Sequence, residues 1–172
     1  MAGHEQDVTL PAGKWLINPE RSTARFAAPN MRVRHVRGQL RDIDGVIEIG
    51  TDGTPSASGT ARAASVHTGI GMRDRHLRSK DFLHADEHPT VDLRVSELHG
   101  HGDHLHATAT TTIRGVSREV PFTVTIDESP DDDTLHLHAA GSFDREDFGI
   151  RVSSFMVGRQ IDVELDLYGT RA

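Results

Sequence analysis

Apolar and polar positions alternate with a period of two over much of this chain. Between Ile161 and Tyr168, Ile161, Val163, Leu165 and Leu167 share one face while Asp162, Glu164 and Asp166 take the other, which marks a half-buried strand. Val120, Phe122, Val124 and Ile126 alternate with Pro121, Thr123 and Thr125. Leu105, Ala107, Ala109, Thr111 and Ile113 do the same against His104 to Thr112. Leu135, Leu137 and Ala139, then Val91, Leu93 and Val95, then Trp15 and Ile17, Ala24 and Phe26, and Ile43, Ile47 and Ile49 extend the pattern to about eight or nine short strands. Turn chemistry separates them, at Asn18-Pro19, Asp52 to Pro55, His99 to Asp103, Arg114-Gly115 and Ser129 to Asp133. Strands at hairpin spacing leave no room for crossover helices. The sheet is therefore antiparallel, a barrel or a sandwich, and a barrel removes exposed edges.

One stretch departs from alternation. Met72 to Phe82 is rich in helix formers and places Asp74 and Arg78 at the i,i+4 spacing of a helical ion pair, which predicts one short helix over about residues 73–82. Residues 1–12 are expected to form a mobile N-terminal segment, with 13–172 a single domain and the acidic run Asp131 to Asp133 a mobile turn.

Composition narrows the function. Cysteine is absent, which excludes disulfides, thiolate catalysis and cysteine-ligated metal sites. The first residues carry neither a basic nor an apolar targeting region, and no apolar run is long enough to span a membrane, so the chain as written reads as cytoplasmic and not membrane-inserted. A formal charge of -7 opposes attraction to nucleic acid; the one basic patch, with Arg32, Arg34, Arg37 and Arg41, has no interleaved aromatic on which a base would stack.

Three ordered motifs then become specific. Ser65 to Phe82, closing at His88-Pro89, Thr112 to Phe122, and Ala140 to Ile150, with Trp15 to Ser22 as an opening, resemble the YceI-like family of polyisoprenoid-binding proteins from residue 15 to about 169. The resemblance implies an all-β fold, an eight-stranded antiparallel lipocalin-like barrel with one short α-helix. It also implies a lumen that takes an extended isoprenoid or fatty chain, and often a homodimer. Many relatives are exported to the periplasm. After the helix the family tends to have two aromatics and an acid, where this chain has Phe82-Leu83-His84.

An eight-stranded barrel is near the size at which inward side chains either fill the interior or leave room for one ligand. Ala61, Ala63, Ala107, Ala109 and Ala139 sit on apolar registers among Leu105, Ile113, Phe122, Val124, Leu135 and Leu137. Alternation alone leaves open whether small and large residues fit a tapering packed core or line a cavity; the resemblance favours the cavity. The expected ligand contacts are these positions, Ala139 excepted, together with Phe26, Leu77, Phe82 and Phe148. Arg73, Asp74 and His76 are placed near the mouth or beneath the helix, where Arg73 or His76 donates to a ligand oxygen or Arg73 and Asp74 join an ion-pair and capping network pinning helix to barrel. Arg114, Asp144, Arg145 and Asp147 carry the same two readings.

His84-Ala-Asp-Glu-His88 fits the H-x-x-E-H pattern of one zinc peptidase class. Pro89 argues against helical geometry at His88, and no third ligand is evident, so no metal site is expected. Of the twelve histidines, His99, His101, His104, His106, His136 and His138 fall on outward registers. No G-x-S-x-G, P-loop or G-x-G-x-x-G is present. The reading is a non-enzymatic binder of a long apolar molecule without catalytic residues or cofactor. The alternatives are a stress-associated interaction module with a packed barrel, or a metal-dependent hydrolase using His84 to His88.

Overall fold

The computed structural model describes residues 12–28, 36–52, 54–101, 104–127, 133–152 and 157–172. The segment 1–11 and residues 131–132 of the acidic run lie outside them, as do Arg32 and Arg34 of the basic patch. Ten strands follow in chain order: β1 (Gly13–Ile17), β2 (Thr23–Ala28), β3 (Val36–Leu40), β4 (Asp44–Ile49), β5 (Pro55–Arg62), β6 (Thr90–His101), β7 (His104–Ile113), β8 (Val116–Asp127), β9 (Thr134–Asp144) and β10 (Gln160–Arg171). One helix, α1 (Gly71–Arg78), interrupts them between β5 and β6.

Every pairing is antiparallel. The order β1-β4-β5-β6-β7-β8-β9-β10 returns to β1 through Trp15 opposite Arg171 and Ile17 opposite Gly169, closing an eight-stranded barrel. The two extra strands continue walls already present. β10 carries β1 on its last residues and β2 on its first, with Asp162 opposite Ala27 and Asp166 opposite Thr23, and β3 lies on β2.

The break between β1 and β2 is an Asx turn. Asn18 Oδ1 accepts from the Glu20 and Arg21 amides, so the chain leaves the sheet for the five residues 18–22. The sheet is not left unsatisfied, because the Asn18 amide donates to the Tyr168 carbonyl at 2.7 Å and the Tyr168 amide donates to Ser22 Oγ at 3.0 Å. Buried Ser22 thus stands in for a missing strand residue.

The helix begins two residues earlier and ends four earlier than the sequence predicts. Ser79 stops it by donating Oγ to the His76 carbonyl at 2.6 Å, and the Leu77 and Arg78 carbonyls are taken by the amides of Leu83 and Ala85 from the returning chain. The expected Asp74 to Arg78 ion pair does not form. Asp74 instead accepts from the amide and hydroxyl of Thr68 and pairs with His67 at 3.5 Å.

Replacing Ser22 with Ala leaves the Tyr168 amide without its acceptor and is expected to cost about 1–2 kcal/mol, a fall of roughly 3–8 °C in Tm. Thermal unfolding followed by far-UV circular dichroism checks it.

Candidate ligand cavity

The barrel is hollow. Its interior encloses a cavity of about 320 Å³, at the lower end of the range for small-molecule sites. The reading of a packed, tapering core does not hold, and the reason lies in the inward register. β7 presents Leu105, Ala107, Ala109, Thr111 and Ile113, and β5 presents Ala57, Gly59 and Ala61, with Gly59 directly opposite Gly45 of β4. Walls built of alanine and glycine leave their side of the lumen unfilled.

The large inward residues are kept against the wall. Phe26 pairs with Gly38, and its ring lies 2.7 Å from where a Cβ on that glycine would stand. Phe122 pairs with Gly141 and lies 2.8 Å from the equivalent point. Each ring covers a glycine on the neighbouring strand and does not project across the lumen.

Phe26, Ala61, Leu77, Phe82, Leu105, Ala107, Ala109, Ile113, Phe122, Val124, Leu135 and Leu137 all line the cavity. Four other expected contacts do not. Ala63 is carried off the barrel wall into a 3-10 turn, its amide donating to the Pro89 carbonyl. Phe148 is fully buried behind the wall, edge-on to Phe143, which does line the cavity. Arg73 donates to the Thr68 hydroxyl and carbonyl, and His76 faces Asp81 at 3.0 Å, edge-on to Phe82.

Arg73 and Asp74 therefore form the pinning network. Both hold Thr68, and neighbouring His67 exchanges two backbone hydrogen bonds with Gln39 of β3. Burial opposes ionisation of Asp74, but the two Thr68 hydrogen bonds, helped by His67 and Arg78, outweigh it and hold the carboxyl below its ordinary value.

Arg145 is the unusual wall residue, a cation only 1% exposed. Its guanidinium donates to the carbonyls of Gly158, Ile150, Val152 and Val157, at 2.7 to 3.1 Å, so it ties the loop before β10 to the barrel end. Arg114 does related work, donating to the Gly149 and Lys80 carbonyls. Asp144 accepts from the Glu146 amide and Arg159, which hold its carboxyl low, and Asp147 is exposed.

The sequence reading missed much of the wall, including Ile161, Val163, Leu165 and Leu167 of β10 and Val91, Leu93 and Val95 of β6. Their alternation was the available signal. Of the clustered histidines, His136 sits between Asp127 and Asp166 at 2.7 and 2.6 Å on the outer surface, while the side chains of His101 and His104 lie outside the described residues.

Residues 15–168 match the YceI-like domain. The chain belongs to the YceI-like family. A UPF0312 protein of Pseudomonas aeruginosa is 27% identical over 152 residues, covering 81% of this chain and 79% of that protein. Among solved structures, BcnA of Burkholderia cenocepacia superposes with a TM-score of 0.79 at 19% identity, over 90% of this chain and 99% of its own. A polyisoprenoid binding domain from Saccharophagus degradans, implicated in plant cell wall breakdown, gives a TM-score of 0.74 at 13% identity, over 94% and 100%. At these identities the two structures establish the shared barrel fold.

Two outcomes follow from this geometry. Gly141→Ala places a methyl against the Phe122 ring and the Pro121 carbonyl and is expected to cost about 1–3 kcal/mol, read from denaturant unfolding. Because the carboxyl of Asp74 is held low in the fold, its stabilisation is complete above the ordinary aspartate range and is lost as pH falls through and below about 3.9. Asp74→Asn should lower Tm at neutral pH and flatten that acid dependence.

Proposed function

We propose that this YceI-like barrel binds one long apolar chain, a polyisoprenoid or a fatty-chain acid or amide, by withdrawing it from water, with no chemical conversion and no cofactor. The observation that carries this reading is the apolar cavity with its alanine and glycine walls. The inward register of β7 from Leu105 to Ile113 runs roughly 26 Å along the strand, or about 20 Å along a barrel axis at the usual strand tilt. That suits an extended hydrocarbon.

The wall has little with which to read a headgroup. Thr111 and Arg145 are its buried polar residues; the Thr111 hydroxyl donates to the Ala109 carbonyl, and the Arg145 donors are engaged by four carbonyls. Selectivity then rests on length and girth. Burying about sixteen methylenes contributes roughly 13 kcal/mol, and association costs of at least about 4 kcal/mol leave enough for micromolar binding or better. The polyisoprenoid named for the Saccharophagus domain, which shares this fold, is consistent with such a ligand.

A series of fluorescent or displaced saturated fatty acids of increasing length tests the reading. Affinity for the purified protein should rise about fourfold per added methylene until the lumen is full, then level off. Ala109→Trp should weaken the best ligand by about tenfold or more while the far-UV spectrum is retained. Affinity independent of chain length, or unaltered by Ala109→Trp, overturns it.

A further inference from the structure

The segment between α1 and β6 brings together three side chains that the cavity does not use. His84, Glu87 and His88 each offer one ligand atom, and these lie within 4.8 Å of one another. His84 Nε2 stands 3.7 Å from the Glu87 carboxylate, and the two imidazoles meet edge-on with centroids 5.7 Å apart. We propose that this turn is a binding site for a divalent transition-metal ion of the zinc type, held by two imidazoles and one carboxylate.

The local backbone explains the convergence. Pro89 does prevent a continuing helix, yet a single closed turn forms, with the Glu87 and His88 amides both donating to the His84 carbonyl. That turn places residues 84, 87 and 88 on one side without a helix. His84 adopts φ 50, a left-handed conformation uncommon for a residue with a side chain, and the strain persists only because the surrounding turn holds it.

A seat is provided for the second imidazole. The β7 to β8 hairpin turns at Arg114 and Gly115, with φ values of 56 and 75, and a Cβ at Gly115 would stand 2.8 Å from the His88 ring. Only glycine leaves room there for the ring to pack on the turn. Arg114 of the same turn directs its guanidinium to the Gly149 and Lys80 carbonyls, where both of its bonds are made.

The donor set suits a borderline divalent cation. Imidazole nitrogen with one carboxylate oxygen matches Zn²⁺, and also Cu²⁺ or Ni²⁺, better than Ca²⁺ or Mg²⁺, which favour oxygen shells. Tetrahedral ligands bonded at about 2.0–2.1 Å lie about 3.3 Å apart, so closure needs a convergence of roughly 1.5 Å at the widest pair. Glu87, whose side chain is 69% exposed, is free to supply much of it. Three protein ligands leave a position for water. Phe82 and Leu83, immediately before His84, line the cavity, so the site sits on the chain that forms part of its wall.

Calorimetric titration of the full chain with Zn²⁺, in a non-coordinating buffer, provides the test. Wild type should bind one ion, and His84→Gln and His88→Gln should each weaken it by about tenfold or more. Glu87→Gln, at an exposed position that does not endanger the fold, should weaken it by a smaller factor, and Co²⁺ should give a four-coordinate visible spectrum in wild type that both His variants lose. A control with His99, His106 and His138 replaced should bind as wild type. Affinity that survives in all three site variants, that is lost in the control, or that never saturates overturns the proposal.

Discussion

Closure of the sheet on itself is the constraint from which the rest follows. A ring of eight antiparallel strands has a circumference set by strand number and tilt, so the width of the lumen is decided before any side chain is placed. β10 completes that ring by serving two partners on one edge, β1 along its last residues and β2 along its first. The chain can leave the sheet between them because Asn18 and Ser22 satisfy the Tyr168 carbonyl and amide where a strand is absent. Once the width is given, the inward residues only choose how much of the space to fill. Alanine on β7 and β5, with glycine at position 59, leaves it largely open.

An open apolar lumen places a burden on its ends, where loops must cross without exposing backbone to the cavity. Here the loops are held mostly by arginines donating to carbonyls, with Arg159 pairing with Asp144 and Glu146 across the loop before β10. Arg145, almost fully buried, has four carbonyl acceptors, so its desolvation is offset by strong charge-assisted hydrogen bonds and the polar atoms of the loop are satisfied together. Arg114 binds the hairpin turn to the segment after α1 and to Gly149. Asp74 and Arg73 anchor the helix through Thr68 to the chain that bridges to β3. The charges thus secure the frame and leave the lumen apolar, which is the division of labour expected of a site that binds hydrocarbon.

The antiparallel sheet was legible because period-two alternation is a local property of each strand. Ile161 to Leu167 and Leu105 to Ile113 face inward as their spacing dictates, and the glycine of Arg114-Gly115 marks the tight hairpin, in which Arg114 also takes a positive φ. The helix was legible as an element but not at its ends. Its end at Ser79 depends on amides of Leu83 and Ala85 returning from the following turn, which no local pattern announces. For Arg73 two readings stayed open in the sequence, a ligand donor or a pin for the helix, because which it becomes depends on Thr68 and Asp74 meeting it in three dimensions; His76 is likewise taken by Asp81 and Phe82.

The amino-acid sequence by itself determined the all-β class, the antiparallel pairing, the inward registers and, through its ordered motifs, the YceI-like family. Each of these rests on neighbours along the chain or on spacing. The open lumen, the rings of Phe26 and Phe122 laid over Gly38 and Gly141, the four carbonyls around Arg145 and the convergence of His84, Glu87 and His88 beside Gly115 were decided only in three dimensions. The physical reason is common to all of them: volume, desolvation and ligand geometry depend on which distant residues close the same space, and that is settled when the sheet joins its first strand to its last.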